Sequence, residues 1–174
     1  EKNVGKTTLL NKLITDIGIN KKLGLTSIGR DGEDIDVVTN TDKPRIYVRR
    51  GSIIATGRNC LAKCDITKEI LYVTDFTTPM GSIVIVRALS DGYVDIAGPS
   101  YNKQVKIVVE LMEKFGSEIS IVDGALGRKS TAISDVSEAT ILSTGAALSL
   151  DMLKVVEETK KTVYFLKLDE AEEN

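Results

Sequence analysis

The sequence predicts an α/β fold, a mostly parallel sheet flanked by helices with a β-rich insertion around residues 44–98. Three observations predict it. A Gly-Lys-Thr run opens an amphipathic stripe at the amino-terminal end. From about residue 100, apolar runs alternate with amphipathic stretches, as parallel crossovers require. Between these ends the chain is dense in short β-type runs broken by turn residues. With 174 residues and 42% hydrophobic content it can bury one α/β core, and no linker, repeat or low-complexity tract divides it. A single domain spanning 1–174 is therefore expected.

Taken in order, residues 7–17 predict a helix, with Leu9, Leu10, Leu13, Ile14 and Ile17 on one stripe and Gly18 and Asn20 ending it. Leu23 to Ile28 reads as a short buried strand, followed by the glycine- and acid-rich loop Gly29-Arg30-Asp31-Gly32-Glu33-Asp34. Strands are expected at 45–49, 52–56, 70–74, 83–89 and 93–96, with a short helix around 58–65. Gly51, Pro79-Met80-Gly81 and the hairpin-type turn Asp91-Gly92 separate them. Tyr101 to Phe115 is an amphipathic helix that turns Val105, Val108, Val109, Leu111 and Met112 inward. Strands at 118–122 and 139–142, a helix at 146–160 and a last strand at 162–168 complete the alternation. The acidic end, Asp169 to Asn174, reads as solvated.

Composition narrows the function classes. The formal charge of −2, from 23 basic and 25 acidic residues, gives no electrostatic reason to expect a nucleic acid or an anionic membrane as partner. No apolar run approaches the roughly 18–20 residues of a membrane span, and no signal peptide is seen, so a cytoplasmic location is expected. The absence of histidine removes Ser-His and Cys-His triads. Cys60 and Cys64 are too few for a structural zinc site. They read as two small, half-buried residues of a reducing compartment, the redox alternative being weakened by their CxxxC spacing.

The chemistry concentrates in Asn3-Val4-Gly5-Lys6-Thr7-Thr8. Placed ahead of an amphipathic helix, these residues match the end of the phosphate loop G-x-x-x-x-G-K-[ST], the P-loop. Backbone N–H groups of such a loop converge with the helix dipole on one anionic site. Gly5 admits phosphate oxygens without a Cβ, Lys6 reaches the β- and γ-phosphates, Thr7 ligates Mg²⁺ and Thr8 touches the α-phosphate. The first glycine of the motif would precede Glu1, so an amino-terminally truncated sequence lacking one strand is expected. Phosphoryl transfer also needs a carboxylate at a strand end near the metal. Asp123, closing the apolar run Ile119 to Val122 and followed by Gly124, is the candidate; the alternative is a plain Asp-Gly turn. Asp31 could hold metal or belong to a solvated acidic turn, and Arg128 could stabilise transferring charge or lie on the surface.

The order of these motifs resembles the SIMIBI class of P-loop proteins, which includes dethiobiotin synthetase, the septum-site ATPase and the signal-recognition GTPases. Gly5-Lys6-Thr7, Thr26 to Gly32, Val122-Asp123-Gly124-Ala125-Leu126-Gly127 and Ala139 to Gly145 are the stretches that carry the resemblance to dethiobiotin synthetase, which does not extend to about 40–98. Gly24 to Glu33, Val122 to Ala125 and Ser143 to Ala146 are also similar to the reactivase component associated with adenosylcobalamin-dependent lysine and ornithine aminomutases. That resemblance implies an ATP-driven chaperone acting on a cobalamin-dependent aminomutase. The functional expectation is Mg²⁺-dependent binding and hydrolysis of a nucleoside triphosphate as a switch on a protein partner, with a homodimer allowed. The alternatives are a small-molecule kinase or ATP-dependent ligase of the dethiobiotin synthetase type, its pocket formed by the β-rich region, and a non-catalytic nucleotide-binding module. ATP is favoured over GTP because Asn11-Lys12 and Asn20-Lys21 lack the aspartate of the guanine motif.

Overall fold

The structure, a computed structural model, describes residues 4–29, 45–124 and 137–166. Two compact units divide the chain, one formed by residues 7–139 and a smaller one by residues 1–6 with 140–174. In chain order the larger unit holds α1 (Lys6–Ile17, from its second residue), β1 (Leu23–Ser27), β2 (Ile46–Val48), β3 (Ile53–Gly57), α2 (Arg58–Leu61), β4 (Lys68–Thr78), β5 (Gly81–Ala88), β6 (Gly92–Val94), α3 (Asn102–Lys114) and β7 (Ile119–Asp123). The smaller unit holds α4 (Met152–Leu166).

Five strands form one sheet in the order β4-β5-β3-β1-β7. Here the structure corrects the expected mostly parallel sheet: the sheet is mixed. β1 lies parallel to β3 and β7, whereas β5 lies antiparallel to both β3 and β4, and the longest ladder, β4–β5, is antiparallel. The cause is local. β4 and β5 are joined through Pro79-Met80, with Gly81 at φ 87°, and so short a connection can only return the chain antiparallel. The 44–98 region is not an elaboration on a finished sheet, because β3 and β5 supply its centre. Asp91-Gly92 does not make a hairpin either: β6 leaves β5 and pairs antiparallel with β2 in a separate two-stranded sheet.

Alternation along the strands sorts the core into two faces. Leu23, Leu25, Ile54, Val84 and Val86 point to one side, where Leu10 and Ile14 of α1, Leu61 of α2 and the β2–β6 ribbon cover them. Ile53, Ala55, Ile83 and Ile85 point to the other, under Val108 and Met112 of α3. Both helices follow the apolar stripes that predicted them. Asn11 ties α1 to β2, its Oδ1 accepting from Tyr47 N at 3.1 Å and its Nδ2 donating to Arg45 O at 3.3 Å. Cys60 is buried and Cys64 half-buried, and burial pushes the Cys64 thiol up, away from thiolate.

The smaller unit departs from the expected pattern. Residues 139–142 form no strand, and α4 begins at Met152 instead of 146 and runs through Leu166, across the start of the expected strand 162–168. Val155, Val156, Thr159 and Val163 recur at helical spacing, so the apolar run from Thr162 continues the helix. With Thr144 they line a shallow apolar groove of about 420 Å³. The Thr159 hydroxyl donates to Val155 O at 2.7 Å and lies 3.1 Å from Thr144 Oγ1.

At the carboxyl ends of the parallel strands, β1 and β3 share only the pairs Gly24↔Ile53 and Leu25↔Ile54 before a wedge, Ile96 to Pro99, inserts between them. The wedge bonds β3 through Gly57 N→Ala97 O and Ala97 N→Thr56 Oγ1, and β1 through Gly98 N→Ser27 Oγ and Gly29 N→Pro99 O. Glycine is required at 98, since a Cβ there would stand 1.8 Å from Ser27 O. Gly98→Ala is therefore expected to destabilise by about 3 kcal/mol, whereas Gly145→Ala, with nothing within 4 Å of its added Cβ, should stay within about 0.5 kcal/mol. Urea denaturation of both variants checks this; equal midpoints would contradict the wedge.

Two exposed carboxylates set an acid limit. Glu118 is held below its ordinary value of 4.5 by the Lys22 N–H it accepts, and further by Lys21. Asp91 is likewise lowered by the Arg50 N–H and the Tyr47 hydroxyl. A carboxylate lowered by folding stabilises above its unfolded pKa, and that contribution is lost as pH falls through the folded value. Melting temperature should thus decline below about pH 4.5, and less steeply in Glu118→Gln. Parallel melting-temperature profiles for the two proteins would contradict the assignment.

Candidate functional site

The parallel ladder between β1 and β7 builds the site. It starts at Glu118 N→Lys22 O, 2.7 Å, runs in register from Leu23↔Ile119 to Ser27↔Asp123, and ends with Ile28 N→Asp123 O, 2.8 Å. Asp123 is thereby held at a strand terminus beside Ser27, the place where open α/β sheets present side chains to ligands. Its face follows from alternation. Ile121, two residues earlier, packs against the core that Leu10, Ile14 and Ile17 of α1 help to fill, so Asp123 belongs to the face covered by α1.

α1 returns to β1 through only five residues, 18–22, and shares a core with it, so the helix runs antiparallel to the strand. Its first turn, with Thr7 and Thr8, is accordingly at the carboxyl end of β1 and β7, on the face that carries Asp123. Thr7 is half-buried, Thr8 is exposed, and no acidic residue stands in the first turn to cap the backbone N–H groups. In the smaller unit, Gly5 is exposed at φ 77°, a left-handed conformation that favours glycine, and Lys6 is half-buried at the first helical position.

Of the expected site residues, the structure places Thr7, Thr8 and Asp123 at one end of the larger unit, and describes Val4, Gly5 and Lys6 at the start of α1. Asn3, Asp31 and Arg128 lie outside the described residues, as do Arg30, Glu33 and Asp34. Among the described residues no group of three or more Cys, Asp or Glu side chains could hold a metal ion by itself. A Thr7 hydroxyl and one carboxylate are nevertheless a donor pair suited to Mg²⁺, which is ordinarily completed by phosphate oxygens and water.

Sequence reasoning missed two contributors. Ser27 closes β1 with its hydroxyl engaged by Gly98 N at 2.9 Å, and the Ile96–Pro99 wedge fills the β1–β3 side, leaving the β1–β7 side as the strand ends beneath α1. The Gly98-Pro99 pair was a turn signal that could have marked the wedge. Asn11, part of a near-match to a guanine motif, is instead occupied by the backbone of β2. Among the described residues no helix is long and apolar enough to cross a membrane. No protein-family model, curated protein or solved structure matches this chain.

Proposed function

We propose that this chain binds a nucleoside triphosphate, ATP in preference to GTP, with Mg²⁺ and hydrolyses it in the cytoplasm as a switch on a partner enzyme. The observation that supports the reading is Asp123 at a parallel strand end, on the face of the sheet covered by α1, the helix that carries Thr7 and Thr8 in its first turn. In this reading Asn3 to Thr8 receive the phosphates on backbone N–H groups, and Lys6 neutralises the β- and γ-phosphates. Thr7 and Asp123 would hold Mg²⁺, which when bound offsets charge developing on the leaving phosphate. Arg128 and Asp31 complete the set as a transition-state cation and a metal-side acid.

The motif resemblance to aminomutase reactivases supports a partner of that kind, with turnover coupled to a change in partner binding.

Lys6→Ala should weaken ATP binding by at least about tenfold, the loss of one charge-assisted contact worth about 1.5–3 kcal/mol, with an unchanged circular dichroism spectrum. Equilibrium titration with a fluorescent ATP analogue measures it, and an unaltered affinity would remove the phosphate-loop reading. Asp123→Asn keeps the side chain's size and one acceptor oxygen, so the strand end should survive. Its single-turnover hydrolysis, with the partner present where needed, should fall on the order of 100-fold while ATP affinity changes far less. If rate and Mg²⁺ dependence both match the wild type, Asp123 is only a turn residue.

A further inference from the structure

β4 lies at the opposite edge of the sheet from β7, with a strand beside it on one side only among the described residues. Its register with β5 shifts twice, by one extra residue between Ile70, which faces Val86, and Tyr72, which faces Ile85, and by two between Val73, which faces Val84, and Thr77, which faces Ser82. Leu71 is the inserted residue of a β-bulge. The bulge puts Ile70 and Val73, three apart, on one face, because Val86 and Val84 share the α1 side of the sheet. Leu71 and Tyr72 turn the other way: Leu71 packs on the α3-side core, and the Tyr72 ring lies 6.5 Å from that of Phe115.

The outcome is an unusual edge. Ile70 is 62% and Val73 55% exposed, adjacent on the same face of an 11-residue edge strand whose outer side meets no other strand among the described residues. Edge strands of this sort invite pairing. Charges frame the apolar pair, with Lys68 two residues before Ile70 and Asp75 two residues after Val73. Lys68 faces Ala88 and so shares the side of Ile70 and Val73, and Asp75 precedes Phe76, which packs on the α3-side core, so the row reads cation, apolar, apolar, anion. Glu69, on the other face, is already committed to Arg87 at 2.6 Å.

We propose that β4 is a self-complementary interface that pairs with β4 of a second copy of this chain. When the row is laid antiparallel against itself, about a two-fold axis passing between Leu71 and Tyr72, Lys68 meets Asp75 of the second copy and Ile70 meets its Val73. Each contact occurs twice, as an isologous dimer requires, and the two sheets become one. The charge order is what selects this occupant: a parallel pairing would set Lys68 against Lys68 and Asp75 against Asp75, like charges directly opposed. The interface is small, so the dimer forms at micromolar concentration and weakens with salt. It lies at the edge away from Asp123 and does not depend on the nucleotide reading.

Sedimentation equilibrium of the full chain from about 1 to about 200 μM tests this. The wild type is expected to dimerise in that range. Lys68→Asp should raise the dissociation constant about tenfold or more, by turning two attractions into two repulsions, and adding Asp75→Lys in the same chain should restore it. Val73→Lys, at an independent position, should dissociate the dimer as well. A wild type that stays monomeric throughout would overturn the proposal, as would a dimer indifferent to Lys68→Asp or one that the double charge exchange fails to restore.

Discussion

The register of the β1–β7 ladder is the constraint on which the rest of this site depends. Five parallel pairs, bracketed by Glu118 N→Lys22 O and Ile28 N→Asp123 O, decide which face each residue of β7 occupies. A slip of one residue would exchange the faces, sending Ile121 out of the core beneath α1 and Asp123 to the α3 side. The ladder is protected by close packing. Gly24 faces Ser117 and Ser120 so tightly that a Cβ would stand 2.8 Å from Ser120 Oγ, and those two hydroxyls bond each other at 3.0 Å. The register is therefore set by sterics on one face and by apolar burial on the other.

A division of labour follows from the mixed sheet. Its parallel part, β3-β1-β7, brings strand ends together under the first turn of α1, as crossover connections do. Its antiparallel part, β3-β5-β4, supplies the longest ladder, β4–β5, and a deeply buried run, with Ile83, Val84, Ile85 and Val86 of β5 all at 2% exposure or less. Between the two, the Ile96–Pro99 wedge satisfies backbone groups that the diverging β1 and β3 would otherwise leave unpaired, and buried polar groups of that kind are costly.

Much of this was legible in the sequence, and the parts that were not share a cause. The stripes at Leu10, Ile14 and Ile17 and at Val105, Val108 and Met112 announced α1 and α3, because a helix face is a local pattern. The apolar run ending at Asp123 announced a strand terminus for the same reason. Strand order was not legible: whether β5 pairs with β4 alone or also enters between β4 and β3 depends on contacts far apart in the chain. The end of α4 was misread because a short apolar run such as Thr162 to Leu166 fits a buried strand and a helix equally well. Gly98 escaped notice because its requirement comes from Ser27, 71 residues away. Of the candidate site, the Gly-Lys-Thr run and Asp123 stood out in the sequence, whereas the face shared by Asp123 and the α1 residues of the larger unit emerges only from the pairing of β1 with β7.

The central claim is that this shared face accommodates a triphosphate through Mg²⁺. Isothermal titration of the full chain with ATP and with GTP, each in Mg²⁺ and in excess EDTA, tests it most directly. The account predicts one-to-one ATP binding that tightens at least about tenfold with Mg²⁺, since a hydroxyl and a carboxylate would engage the nucleotide through the metal, and weaker binding of GTP. Absence of saturable binding by either nucleotide, or ATP binding indifferent to Mg²⁺, would contradict it.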